Sequence, residues 1–209
     1  MAGIGAVAQS VLLAVALPAA GQPESFAVDP IASRVHVHLG RSGLLKVLGH
    51  DHDIDAPVAD GRVDVADDDP AHSSVRLRFE ALRLAVVAGT EPAKDVPKVE
   101  ERMRGPEVLD ATRYPDIVFT SSAVAGDLTE PGHYRLVVNG TLQLKGRSFP
   151  VEIPLDVRRS GSEIQARGEV RWRLRDLGIE PPSVGGVVKV ANGFRMTFEI
   201  VARPAAPPP

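Results

Sequence analysis

The chain contains no cysteine. That absence removes disulfides, thiolate metal sites and thiol nucleophiles together. Aromatic residues are scarce, at 4%, so any interior is walled mainly by aliphatic side chains, which suit a flexible chain better than a stacked planar cofactor. There is no basic excess: 24 Lys and Arg stand against 27 Asp and Glu, a formal net charge of −3. A nucleic-acid binder normally shows such an excess or a basic stripe. Also missing are a nucleotide-binding βαβ pattern, a solenoid repeat and a domain linker. The one long apolar run, "VAQSVLLAVALPAA", is short and rich in small residues for a membrane-spanning helix.

What remains is an ordinary globular composition, 44% hydrophobic and 24% charged over 209 residues. The apolar run fits the core of a secretory signal, with a small-residue cleavage zone near Ala19 to Gly21. No Lys or Arg precedes it, and no cysteine follows to carry a lipid. The expected organisation is a signal peptide over 1–21, one domain over 22–203 and a disordered proline-rich tail over 204–209, in a periplasmic or secreted protein.

The body of the chain alternates. Apolar residues share one face in "SVRLRFE" (Val75, Leu77, Phe79), "HYRLVVNGTLQL" (Tyr134, Leu136, Val138, Leu142, Leu144), "VEIPLDV" (Val151, Ile153, Leu155, Val157), "EIQARGEVRWRL" (Ile164, Ala166, Val170, Trp172, Leu174) and "FRMTFEIVA" (Phe194, Met196, Phe198, Ile200). A period of two means strands with one dry and one wet face, the character of antiparallel sheets. Further strands are expected at 33–39, 50–56, 61–65, 82–87 and 116–124, with turns at 59–61, 67–70, 130–132, 145–146, 160–162 and 192–193. Val96, Val99 and Met103 stand at helical spacing, which predicts a short helix near 97–104 stopped by Gly105 and Pro106, then a turn at 106–110. Eight to ten such strands hide their dry faces best by closing into a barrel, with a two-sheet sandwich as the alternative. A barrel of about eight strands is either filled by its side chains or holds one small ligand.

Several stretches resemble the YceI-like domain family of bacterial envelope proteins. "FAVDPIASRVHVHL" is similar to its opening strand, Gly49 to a glycine after the first crossover, and "MRGPEVLDATRYPDIVFTSSAV" to its most recognisable segment. "VVNGTLQLKGRSFPVEIPLDV" resembles the hairpin that follows, and "RDLGIEPPSVGGVVKVANGFRMTFEIVA" the closing segment, so the likeness covers about residues 26 to 203. It implies an all-β, mainly antiparallel, lipocalin-like closed barrel of about eight strands, with a helical cap near 97–110. It also implies a polyisoprenoid, quinone or fatty acyl chain in the lumen. The chain departs from the family at 50–55, where an acidic and histidine-rich run replaces a frequent phenylalanine. It departs again at Lys98, Glu100, Glu101 and Arg102, where an Arg-Asp pair is frequent.

Four candidate sites follow. Leu77, Phe79, Phe119, Leu136, Val138, Trp172, Phe194, Met196 and Phe198 are either a packed core or, as the resemblance implies, the wall of a ligand tunnel. In "GHDHDIDA", His50 and His52 share a strand face. If 33–39 and 50–56 pair about residue 45, His38 falls near His52, and with Asp51 or Asp53 the three imidazoles offer a site for Zn²⁺ or Cu²⁺. The alternative is a polar rim. The basic residues of "KVEERMR", with Arg113, either hold a phosphate or carboxylate headgroup at a barrel mouth or form a solvated helix face. Ser33, Ser42, His50 and Asp51 make a triad on paper only, because no nucleophile elbow accompanies them. No enzyme activity and no required cofactor are expected. The expected partner is one small apolar or amphiphilic ligand, with a membrane or envelope protein as transient donor or acceptor; the oligomeric state, a dimer included, stays open.

Overall fold

The structure, a computed structural model, describes residues 23–42, 51–66, 69–184 and 188–205. The expected signal peptide therefore lies outside the described residues. Twelve strands are β1 (Glu24–Val28), β2 (Arg34–Ser42), β3 (His52–Asp55), β4 (Val58–Val65), β5 (Ser74–Glu80), β6 (Ala85–Val86), β7 (Asp116–Glu130), β8 (His133–Leu144), β9 (Arg147–Ser160), β10 (Glu163–Arg173), β11 (Ser183–Val184) and β12 (Val188–Pro204). Among the described residues one α-helix, α1 (Val96–Arg104), stands between β6 and β7.

The strands close on themselves. β1 and β2 lie end to end along β12, β3 and β4 lie end to end along that pair, and β5 and β6 form the third rank. β7, β8, β9 and β10 follow in turn, and β12 joins β10 to the first rank. Every pairing is antiparallel. The result is an eight-strand closed barrel, not a sandwich. Closure removes most of the edges that could template aggregation; the two-residue strands β6 and β11 each pair on one side, with β3 and β12.

The breaks within ranks have local causes. Between β1 and β2 the Asp29 carboxylate accepts the backbone N–H groups of Ile31 and Ala32 at 2.8 and 3.0 Å. The buried Ser33 hydroxyl then accepts the Val201 N–H at 3.1 Å, tying the excursion back to β12. Pro57, which has no N–H to give a ladder, separates β3 from β4.

Four expectations need correction. Residues 82–87 are not one strand: Ala81–Arg83 form a 3₁₀ turn, and only Ala85–Val86 pair. Ala81 and Leu84 are both buried, a spacing of three that serves a tight turn and not a pleat. The turn expected at 59–61 lies inside β4, which absorbs it as a bulge between Val58 and Asp60. Gly61 is there for closeness, since a Cβ would come within 2.8 Å of the Leu77 and Val28 side chains. The turn expected at 192–193 is likewise inside β12, at a register shift. Asn192 there accepts the N–H groups of Leu174 and Arg175. Pro204 and Ala205, expected in the tail, are instead tied to β1: Pro204 pairs with Phe26 and the Ala205 N–H reaches the Ser25 carbonyl; residues 206–209 lie outside the described residues. The helix and the turn at 106–110 form as expected, with Val96, Val99 and Met103 packed on the core.

Candidate functional site

The inward faces of the strands enclose a cavity of about 330 Å³, within the usual span of roughly 300–1,000 Å³ for small-molecule pockets. Leu77, Phe79, Phe119, Leu136, Val138, Trp172, Phe194, Met196 and Phe198 all stand on its wall. Trp172 meets Phe194 edge to face, with ring centroids 6.2 Å apart.

Two glycines help explain why this interior is not filled by its own phenylalanines. Gly140 interrupts the inward set of β8, and Gly168 that of β10. A Cβ at Gly140 would lie 2.6 Å from the Phe119 ring, and one at Gly168 would lie 2.5 Å from the Phe198 ring. Each ring therefore occupies the hollow left by a missing side chain. The sequence carries a signal for this, a glycine at an inward position of an alternating strand.

The two ends of the cavity differ. At one end, Met103, Val108 and Leu109 of the helical segment meet Leu84, Leu144, Leu174, Leu177 and Ile179. Most of these are buried, and every one is apolar. At the far end Val65, Val75, Tyr134 and Leu136 remain partly exposed. Leu128, opposite Tyr134 in the ladder, is 56% exposed. Ser73, Ser74, Tyr134 and Arg159 also border the cavity here, but the Ser73 hydroxyl accepts the Ala66 N–H and the Ser74 hydroxyl donates to Asp64. Arg159 donates to the Glu24 carboxylate at 2.5 Å and lies over the Phe26 ring, 5.4 Å from its centroid.

Arg159 is the wall residue that sequence reasoning missed. It continues the inward parity of Val151, Ile153, Leu155 and Val157 by one more step, so the alternation itself carried the signal. The cations expected to matter were elsewhere. Arg104 donates to the Leu84 carbonyl and pairs with Glu100, Arg102 pairs with Glu107, and Arg113 stacks on Tyr114. None of these lines the cavity.

The histidines are arranged differently from the expectation. β2 and β3 pair with His38 opposite Asp53 and Leu39 opposite His52. This register differs by one residue from pairing about residue 45, and one residue flips every side chain to the other face. His38 thus points outward, its Nδ1 2.7 Å from Asp53 Oδ1, beside a parallel pair of His36 and Asp55 at 2.6 Å. His52 shares the inward face, where its Nδ1 lies 2.6 Å from the buried carboxylate of Glu91. His38 and His52 are not brought together, and His50 lies outside the described residues. Among the described residues no group of three or more His, Asp or Glu is placed to hold a metal ion. Ser33, expected as a nucleophile only on paper, spends its hydroxyl on the β12 backbone.

Ion pairs stud the outer surface, Arg78 with Asp60 and Asp116 and Arg175 with Glu180 among them. The Arg62 guanidinium, 2.9 Å from Asp64, holds that carboxyl below its ordinary range against the opposing effect of burial, with help from Ser25. The N–H of Ala32 does the same for Asp29, seconded by Ile31 and Arg203. Among the described residues no helix is long and apolar enough to cross a membrane.

Comparison with known proteins agrees with this architecture. No curated protein matches the chain. Among solved structures, BcnA of Burkholderia cenocepacia superposes with a TM-score of 0.63 at 18% identity, over 83% of this chain and 98% of that one. A polyisoprenoid-binding domain from Saccharophagus degradans, implicated in plant cell wall breakdown, gives a TM-score of 0.57 at 13% identity, over 87% of this chain and 99% of that one. The YceI protein of Campylobacter jejuni gives 0.50 at 14% identity, over 79% and 85%. At these identities the likeness is one of fold. The model of the YceI-like domain matches residues 26–202, and the chain belongs to that family.

Proposed function

We propose that the protein is an exported carrier that takes one polyisoprenoid, quinone or fatty acyl chain into the barrel lumen and catalyses no reaction. The observation that carries this reading is the cavity of about 330 Å³ with an almost wholly apolar wall. Burial supplies the driving force. Ten methylenes removed from water contribute about 8 kcal/mol, before association and ordering costs of at least about 4 kcal/mol. Family membership supports apolar binding in general. The structural neighbour described as polyisoprenoid-binding supports the choice among chains.

The chain has a single tryptophan, and it stands on the cavity wall. Titrating lipid-stripped protein with geranylgeraniol, a short-chain ubiquinone and oleate should change Trp172 fluorescence saturably, at one ligand per chain. A flat response to all three, with the fold intact, removes the reading. Export has its own test: the mature protein should begin near Gly21, and an intact N-terminus on envelope-extracted protein argues against it.

A further inference from the structure

We propose that the lumen selects its guest by length: it takes one chain of about a dozen carbons, read by its hydrocarbon and not by its headgroup. This deepens the carrier reading and rests on it.

The size of the space sets the length. A dry apolar cavity of roughly 150 Å³ takes up benzene, which has six carbons. By that ratio the lumen, at about 330 Å³, has room for about thirteen carbons. Burial stops at both ends. Under the helix, Leu109, Leu174, Leu177 and Ile179 are buried and line the closed end. At the far end Val65, Val75 and Tyr134 are partly exposed, so carbons beyond that level return to water. A long polyprenyl or octadecyl chain therefore fits only in part, whereas a farnesyl or dodecyl chain buries nearly whole.

The wall gives a headgroup little to hold. Of the polar residues that border the lumen, the Ser73 hydroxyl accepts the Ala66 N–H, the Ser74 hydroxyl donates to Asp64 and Arg159 donates to Glu24. These groups are engaged within the protein. A headgroup drawn down among the aliphatic side chains would lose its hydration without gaining a partner. It stays at the wet end, in water before and after binding. Affinity is left to the methylenes, each contributing about fourfold as it is buried. Once the lumen is full, the next carbon stays in water and adds nothing.

The test is a homologous series, read by Trp172 fluorescence on the full mature chain below the micelle concentration of each compound. The probes are the straight-chain alcohols from octanol to octadecanol, the matching fatty acids, and geraniol, farnesol and geranylgeraniol. Affinity should climb about fourfold per methylene and then level off near dodecanol to tetradecanol, with farnesol on the plateau. Alcohol and acid of equal length should bind alike. Ala166→Leu adds about three carbons to the wall and should move the plateau down by about three; Leu136→Ala should move it up by a similar step. A melting curve for each variant separates a changed lumen from a lost fold. A climb that continues through octadecanol overturns the proposal and leaves the carrier reading intact. So does an acid that binds much more tightly or weakly than its alcohol, or a plateau that neither folded variant moves. No response to any probe removes the carrier reading itself.

Discussion

The two ends of the barrel are closed by different physics. Under the helix, Leu109, Leu144, Leu174, Leu177 and Ile179 pack together and exclude water. At the other end the strands are joined by polar ties: Asp64 to Arg62 and Ser25, Asp29 to Arg203 and to its own turn, Glu24 to Arg159. Apolar packing seals and is indifferent to pH and salt. Ion pairs at a wet rim are weak, reversible and exchangeable. On the proposed carrier reading, the packed end is the floor and the wet end the door.

Substitutions in the lumen and at the two ends separate the two kinds of closure. The largest expected effect is on binding: Ala166→Trp places an indole in the lumen, where Ala166 forms part of the wall. Chain uptake should fall by at least about tenfold by fluorescence, while the melting temperature holds or rises, because the new ring fills a void and displaces no neighbour. A smaller effect is expected at the floor. Leu109→Ala should cost about 2–4 kcal/mol by chemical denaturation, with the same loss at pH 4 and pH 7 and at low and high salt. A loss that varied strongly with salt would contradict a floor held by packing.

The smallest effect belongs to the door. Asp64→Asn should cost about 1 kcal/mol or less, and its sign with pH is determined. The Asp64 carboxyl has a depressed pKa in the folded state. Its contribution is therefore complete above the ordinary carboxylate value of about 4 and is lost as pH falls through the lower folded value. Wild type and variant should differ at pH 7 and converge as pH drops toward 2, as read from urea midpoints. A gap that widened in acid would assign the carboxylate some other role.

Much of this was legible in the chain. Alternation alone marks the strands and puts the nine expected wall residues, Phe119 and Trp172 among them, on the inward face. Closure follows from the need to hide those faces. What alternation cannot fix is register. His38 and His52 look like neighbours until the pairing shifts by one residue, which sends one outward to Asp53 and the other inward to Glu91. Turn signals misled where tertiary contacts overrode them, as with Gly61 beneath Leu77 and Val28 and with Asn192 receiving Leu174 and Arg175. Arg159 was hidden by its chemistry: an arginine at the end of an alternating run looks like a strand terminus in water, and its inward parity gains meaning only once the barrel closes around it.

The central claim is that the barrel interior is a vacancy for one chain. Native mass spectrometry of protein purified from a bacterial envelope without detergent tests it most directly. The account predicts one apolar chain per protein, removed by organic extraction, restored on incubation with the extract, and absent from Ala166→Trp. A protein that emerges empty from the envelope and stays empty with that extract contradicts it.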